Sequence, residues 1–232
     1  MTNGWNRQSK TLSRARGAKV RVKTARGRKS GSTRWLQRQL NDPYVAEAKR
    51  LGYRSRAAFK LKEIDERFDL LKGTGRVVDL GSAPGGWLQV LSERLGDRAE
   101  IVGIDLQEVE PVAGTVFRQM DFLAPDADKT LKAMLGGPAD IVLSDMANSA
   151  TGHKGTDHLR TMGLCEAALD FALDVLAPGG SFVAKVLQGG SDRDLMTRLN
   201  RHFADVKHVK PPASRPDSKE WFVVARGFRP GG

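Results

Sequence analysis

The chain has 232 residues, with 38 Lys and Arg against 27 Asp and Glu and a formal charge of +11. That length fits one large domain, or one domain with an extension. No apolar run approaches the roughly 18 residues of a membrane span, no N-terminal stretch has the apolar core of a secretory signal, and the single cysteine, Cys165, forms no internal disulfide, so a cytosolic protein without a membrane partner is expected.

The charge is unevenly placed. Residues 1–41 hold twelve Lys and Arg and no Asp or Glu, whereas the rest of the chain holds 26 basic and 27 acidic residues. Residues 1–33 are also poor in large apolar side chains and read as a disordered basic arm. Such an arm usually meets a polyanion, and nucleic acid is the expected partner; a solubilising tail is the bland alternative. The folded domain is expected over residues 34–232, with order beginning near Thr33–Tyr44.

A helix follows over Ser55–Leu71, where Ala57, Leu61, Ile64, Phe68 and Leu71 make one apolar stripe, Ser55 is the candidate N-cap and Gly73 and Gly75 lie beyond the end. Lys60 borders that stripe, either as a functional cation or as a surface partner of Glu63. Strands are expected at Arg76–Leu80, Glu100–Asp105, Thr115–Met120, Ala139–Asp145, Ser181–Leu187, Asp205–Lys210 and Glu220–Arg226. Helical patterns fill Gly86–Leu95, Asp126–Leu135, Thr156–Leu176 and Asp192–Phe203. Alternation of this kind indicates an α/β fold, a mostly parallel sheet covered by helices on both faces. No helix fits between the last two strands, which are expected to pair antiparallel.

The first strand runs into Gly81-Ser82-Ala83-Pro84-Gly85-Gly86-Trp87. Glycines here let the backbone approach a ligand closely. The turn is neither G-x-G-x-x-G nor a P-loop, which disfavours NAD and ATP. It suits a nucleoside without phosphates, such as S-adenosylmethionine. Asp105, ending the second strand, is placed to accept both ribose hydroxyls. Asp121, after the third, is placed to meet the adenine amino group. Trp87 is either a core aromatic or part of the pocket wall.

Lys185 interrupts an otherwise apolar strand, Gly180–Leu187. Burial favours its neutral amine, and poising it for base work needs about 4 kcal/mol, which desolvation and a neighbouring cation such as Lys60 can supply. Asp145 ends the fourth strand on the ligand rim. If the last strand is antiparallel, Glu220 at its start reaches the same rim. His153 and His158 lie in a polar segment without ligand spacing, and no metal is expected. Cys165, in a helical setting, reads as a packed thiol.

Five ordered segments carry a resemblance: Asp79–Trp87, Ser55–Leu61, Ser144–Ala147, Phe182–Val186 and Ser218–Glu220. They resemble the RrmJ/FtsJ (RlmE) family of ribosomal RNA methyltransferases. The resemblance implies a Rossmann-like fold with a seven-stranded sheet whose last strand is antiparallel. It implies S-adenosylmethionine as cofactor, contacted by Gly85, Trp87, Asp105, Asp121 and Asp145, and a catalytic tetrad of Lys60, Asp145, Lys185 and Glu220 with Lys185 as base. It implies methylation of a uridine 2′-OH in the A loop of large-subunit rRNA or the 50S subunit, by a monomeric enzyme. The same chemistry on tRNA or an mRNA cap, or a non-catalytic ribosome-assembly factor, are the rival readings. The family's proline between Ala147 and Asn148 is missing here, and the basic arm is longer than its bacterial members lead one to expect.

Overall fold

Among the residues described by the computed structural model (5, 20–22, 30–147, 153–187 and 193–232), the apolar runs form seven strands. These are β1 (Arg76–Leu80), β2 (Glu100–Asp105), β3 (Val116–Gln119), β4 (Ala139–Ser144), β5 (Leu176–Leu187), β6 (Phe203–Val209) and β7 (Glu220–Phe228). They join in the order β3-β2-β1-β4-β5-β7-β6. Strands β1 to β5 are parallel, and β7 enters between β5 and β6, antiparallel to both. The direction of strand addition reverses at β1 and β4, and a ligand crevice opens beyond the carboxyl ends of strands at such a switch point.

Seven helices accompany the sheet in the described residues: α1 (Ser30–Leu40), α2 (Pro43–Leu51), α3 (Ala57–Phe68), α4 (Gly86–Leu95), α5 (Ala127–Leu135), α6 (Lys154–Val175) and α7 (Arg193–His202). α3 and α4 cover one face, burying Leu61, Ile64, Leu88 and Leu91 against Val77, Ile141 and Val183. α5, α6 and α7 cover the other, with Leu131, Leu169 and Leu199 against Val78, Val142 and Phe182. Burial on both faces is why the central strands read as continuous apolar runs. Cys165 is buried on the sheet side of α6, a packed thiol. No helix of the described residues is long and apolar enough to cross a membrane.

Local chemistry moves several boundaries. α3 begins at Ala57, not Ser55: Arg56 occupies the N-cap position without a side-chain cap bond, and Ser55 Oγ is buried against Gly86 at the start of α4 without a hydrogen-bond partner. A Cβ on Gly86 would lie 2.5 Å from that oxygen. α3 also ends at Phe68, three residues before the apolar stripe does. Asp69 adopts a left-handed conformation, and the Leu71 N–H donates to the buried Asp65 carboxylate at 2.9 Å. β5 starts at Leu176, ahead of the expected Ser181, because the chain pairs Leu176 with Ala139 before a register shift across Pro178-Gly179-Gly180. α2 was not read from the pattern, although Asp42 caps it, Pro43 opens it and Gly52 closes it.

Of the expected arm, only Trp5, residues 20–22 and residues 30–33 fall among the described residues. Val20–Val22 lies along α1, where the Val20 N–H donates to Asn41 Oδ1 at 2.8 Å and the Val22 N–H to Gln37 Oε1 at 3.0 Å. The Arg67 guanidinium sits 4.6 Å from the Trp5 ring centroid.

Candidate active site

The glycine turn between β1 and α4 opens a cavity of about 470 Å³ at the switch point. Gly81 has φ +83°, and a Cβ there would lie 2.8 Å from the Met146 side chain, so only glycine leaves this wall open. Gly85 has φ +102° and is pressed from behind: a Cβ would lie 2.7 Å from Arg54. Arg54 is fixed by donating to the carbonyls of Glu110 at 2.6 Å and Pro111 at 2.9 Å, which ties the segment after β2 to the turn.

Asp105, Asp121 and Asp145 all line this cavity. Asp105 is oriented by the N–H groups of Ala83 and Gln107, at 2.9 and 2.8 Å. Asp121 Oδ1 accepts from Leu123 N–H at 2.9 Å. Gly85 and Trp87 are not among the side chains lining the cavity. The Trp87 ring is core: it is 3% exposed, its Nε1 donates to Ala57 O at 2.8 Å, and it packs on Phe222. Three carboxylates against one basic lining residue, Arg160, suit a ligand bearing hydroxyls and cationic centres and repel phosphates. An adenosyl sulfonium amino acid fits that description.

At the inner edge of the cavity, four ionisable side chains converge from four elements. Lys185 Nζ, on β5, donates to Asp145 O at 2.7 Å and Oδ1 at 3.0 Å. Lys60 Nζ, on α3, lies 3.4 and 3.3 Å from the two Asp145 oxygens. Glu220, opening β7, completes the ring at 3.6 Å from Lys60 and 3.9 Å from Lys185. Both lysines are buried, at 8% and 6% exposure, so neither is a snorkelling surface residue. Burial alone would push the Asp145 carboxyl up, but the Lys185 and Lys60 ammonium groups outweigh it and hold the carboxyl below its ordinary range. Burial likewise disfavours the Lys60 ammonium, yet Asp145 and Glu220 prevail and keep it charged. A strongly charged lysine beside a second, buried lysine is an arrangement for proton transfer.

What holds Glu220 in place was not read from the sequence. The segment 210–219 before it is proline-rich yet seated inside the fold, with Ala213 and Ser214 buried. Glu63 of α3 accepts from Tyr44 OH at 2.9 Å and from Ala213 N–H at 2.7 Å. Burial and the Glu63 charge push the Tyr44 phenol far up, so it stays a donor. Asp42 accepts from Arg56 and from Arg215 Nε, the latter at 3.2 Å, and Arg56 also donates to Ala213 O. α2, α3 and the segment before β7 are thus one polar unit, and Glu63 serves this seat as Lys60 turns inward to Asp145.

A crevice rich in acceptors for hydroxyls and ammonium, with no phosphate cradle, belongs on this sheet to the Rossmann-like S-adenosylmethionine-dependent methyltransferases. Residues 53–228 match the FtsJ-like methyltransferase family, and the chain belongs to it. S-adenosylmethionine is therefore its cofactor. The chain is 60% identical over 219 residues to Ribosomal RNA large subunit methyltransferase E of Cereibacter sphaeroides, covering 91% of this chain and 90% of that one. It is 62% identical over 214 residues to the protein of the same name from Xanthobacter autotrophicus, covering 91% and 84%. A Plasmodium falciparum structure described as a ribosomal RNA methyltransferase superposes with a TM-score of 0.69 at 33% identity, over 76% of this chain and 98% of that one.

Proposed function

We propose that this chain methylates the ribose 2′-OH of a uridine in the A loop of large-subunit rRNA, acting as a cytoplasmic monomer on the assembled 50S subunit. The observation that carries the reading is the pair of buried lysines sharing Asp145 at the edge of the cofactor cavity. Relatives named for large-subunit ribosomal RNA support the choice of RNA. A second cavity of about 470 Å³ lies along the segment leading to Glu220, lined by Arg38, Arg56 and Arg215 together with their carboxylate partners Asp42 and Asp217, and offers a place for the substrate strand. The basic arm over residues 1–33 adds long-range attraction for rRNA.

Asp105 holds the ribose hydroxyls, Asp121 the adenine amino group and Asp145 the methionine end, while Gly85 and Trp87 contribute through the backbone at the start of α4. The bound cofactor supplies a methyl group made electrophilic by its sulfonium and leaves as the thioether. Lys185, once its ammonium has given a proton to solvent, takes the 2′-OH proton on the amine while that oxygen attacks the methyl carbon. Asp145 orients the Lys185 amine. Lys60, held charged, stabilises negative charge developing on the oxygen. Glu220 orients both lysines.

The test maps 2′-O-methyl groups in total RNA from cells lacking the gene, complemented by the wild-type chain or by Lys185→Ala. One large-subunit uridine should lose its ribose methyl and regain it with wild type alone. Loss at a base position, or only in tRNA, overturns the reading.

A further inference from the structure

Gln37 and Asn41 stand one turn apart on α1, and together they hold the backbone of Val20–Val22. Asn41 Oδ1 accepts the Val20 N–H at 2.8 Å, and Asn41 Nδ2 donates back to Val20 O at 2.9 Å, a two-way pairing of a side-chain amide with a main-chain residue. Gln37 Oε1 accepts the Val22 N–H at 3.0 Å, and Gln37 Nε2 also donates to Val20 O. Asn41 Nδ2 reaches Gln37 O as well, at 2.7 Å, which fixes the direction of its amide. Spacing explains the fit. Residues i and i+4 share a helix face about 6 Å apart along the axis. Alternate residues of an extended chain recur about every 6.6 Å. Two amides at helical spacing can therefore meet residues 20 and 22 in step. The grip reads main chain, since the Val20 and Arg21 side chains are exposed.

Both amides also line the second cavity, beside the segment leading to Glu220. The arginines of that cavity are each matched by a carboxylate: Arg38 by Asp217 at 3.7 Å, and Arg56 and Arg215 by Asp42. The positive excess of the chain lies elsewhere, in the ten Lys and Arg of residues 1–29, a stretch without Asp or Glu. Arg21 belongs to the held segment itself. Lys23, Arg26, Arg28 and Lys29 fall between that segment and the start of α1 at Ser30. A connection of this length takes no residue farther than about 15 Å from one or other of its ends.

We propose that Gln37 and Asn41 are positioning residues for the RNA substrate: by gripping the backbone of Val20–Val22 they moor the basic arm at the second cavity, where its cations meet the phosphates of the entering strand. The inference rests on the reading that RNA is the substrate and that the arm attracts it. Released from the mooring, the connection 23–29 becomes part of a tether of up to 29 residues, and a tether about four times longer lowers the local concentration of what it carries roughly eightfold. Because N–H and C=O groups make the contact, the Val20 N–H matters and its side chain does not.

The test uses large ribosomal subunits from cells lacking the gene, and reads their Kd together with kcat at saturating subunits. The proteins are the full chain and a chain without residues 1–29, each with and without the double change Gln37→Ala, Asn41→Ala. In the full chain the double change should weaken subunit binding roughly five- to tenfold and leave kcat, S-adenosylhomocysteine affinity and melting temperature unaltered. Val20→Pro, which removes the N–H that Asn41 receives, should do the same, and Val20→Ala should match wild type. In the shortened chain, whose affinity is already reduced, the double change should add nothing. An unaltered Kd for the double change in the full chain overturns the proposal. An equal loss in both chains also overturns it, since the amides would then touch RNA themselves or support the fold. A deletion without effect on Kd removes the arm, and the mooring with it. Absence of methyl transfer from wild type would defeat the proposed activity instead, and the binding comparison would still decide the mooring.

Discussion

Both hydrogen bonds that Lys185 donates go to Asp145, which Lys60 still pairs in its absence, so removing the Lys185 amine should affect chemistry more than architecture. Lys185→Ala is expected to lower single-turnover methyl transfer by roughly 10²–10⁴-fold, the usual worth of a positioned base, with cofactor affinity little changed; a rate near wild type removes Lys185 from the mechanism. Asp105→Ala should weaken cofactor binding by about 1.5–3 kcal/mol, the scale of hydrogen bonds to a charged group, as read by calorimetry, and ATP should not compete. Asp79, fully buried in β1, makes a stability prediction with a definite sign. Its folded-state pKa lies above the unfolded one, so as pH climbs from 3.8 to about 8 the unfolded chain gives up a proton that the native state keeps, and stability drains away across that window. Asp79→Asn has no proton to lose. Thermal melts at pH 5, 6.5 and 8 should show the variant gaining on wild type as pH rises; a constant difference contradicts this. Lys60, Asp145 and Lys185 were legible in the sequence because ionisable residues stand out in apolar surroundings. Asp79 was not, since an aspartate just before a glycine turn looks like part of the turn until its burial and lack of partners are seen.

The central strands were legible because burial on both faces leaves an unbroken apolar run, and the approach of Glu220 to Asp145 and Lys185 followed from which strand ends share a rim. Helix ends were less so. The stripe in α3 runs on to Leu71, but the Asp65 carboxylate captures the Leu71 N–H and the helix stops at Phe68. Long-range polar pairing of this kind has no periodicity. The same holds for Glu63, which entered the sequence reading only as an alternative surface partner of Lys60 and instead fastens the segment before β7 to α2 and α3. Glu63→Ala strips a buried tyrosine hydroxyl and a buried backbone N–H of their acceptor. It should cost on the order of 3 kcal/mol in urea denaturation and lower the methylation rate by loosening Glu220. Wild-type stability with a reduced rate would mean that the seat positions Glu220 without bearing load.

At the scale of the molecule, charge is segregated: residues 1–29 carry ten Lys and Arg, and the chain from residue 42 onward is close to neutral. If six or more of those side chains meet phosphates, RNA affinity should fall on the order of 10³-fold between 50 and 200 mM salt. Deleting residues 1–29 leaves α1 whole and should flatten that slope while sparing the rate at saturating RNA. Equal slopes would make the arm a solubilising tail. The place of β7 has a different consequence, one that concerns biosynthesis. It follows every other strand of the described residues, yet it lies between β5 and β6 and brings Glu220 to Lys60, Asp145 and Lys185. A nascent chain leaving the ribosome N-terminus first therefore passes through a stage in which β5 has an open edge and β6 has no neighbour, the kind of exposed edge that invites aggregation or chaperone capture. Throughout that stage Lys60, Asp145 and Lys185 are already made, but Glu220 is not yet free to join them, and the four side chains cannot meet until β7 has been made and released.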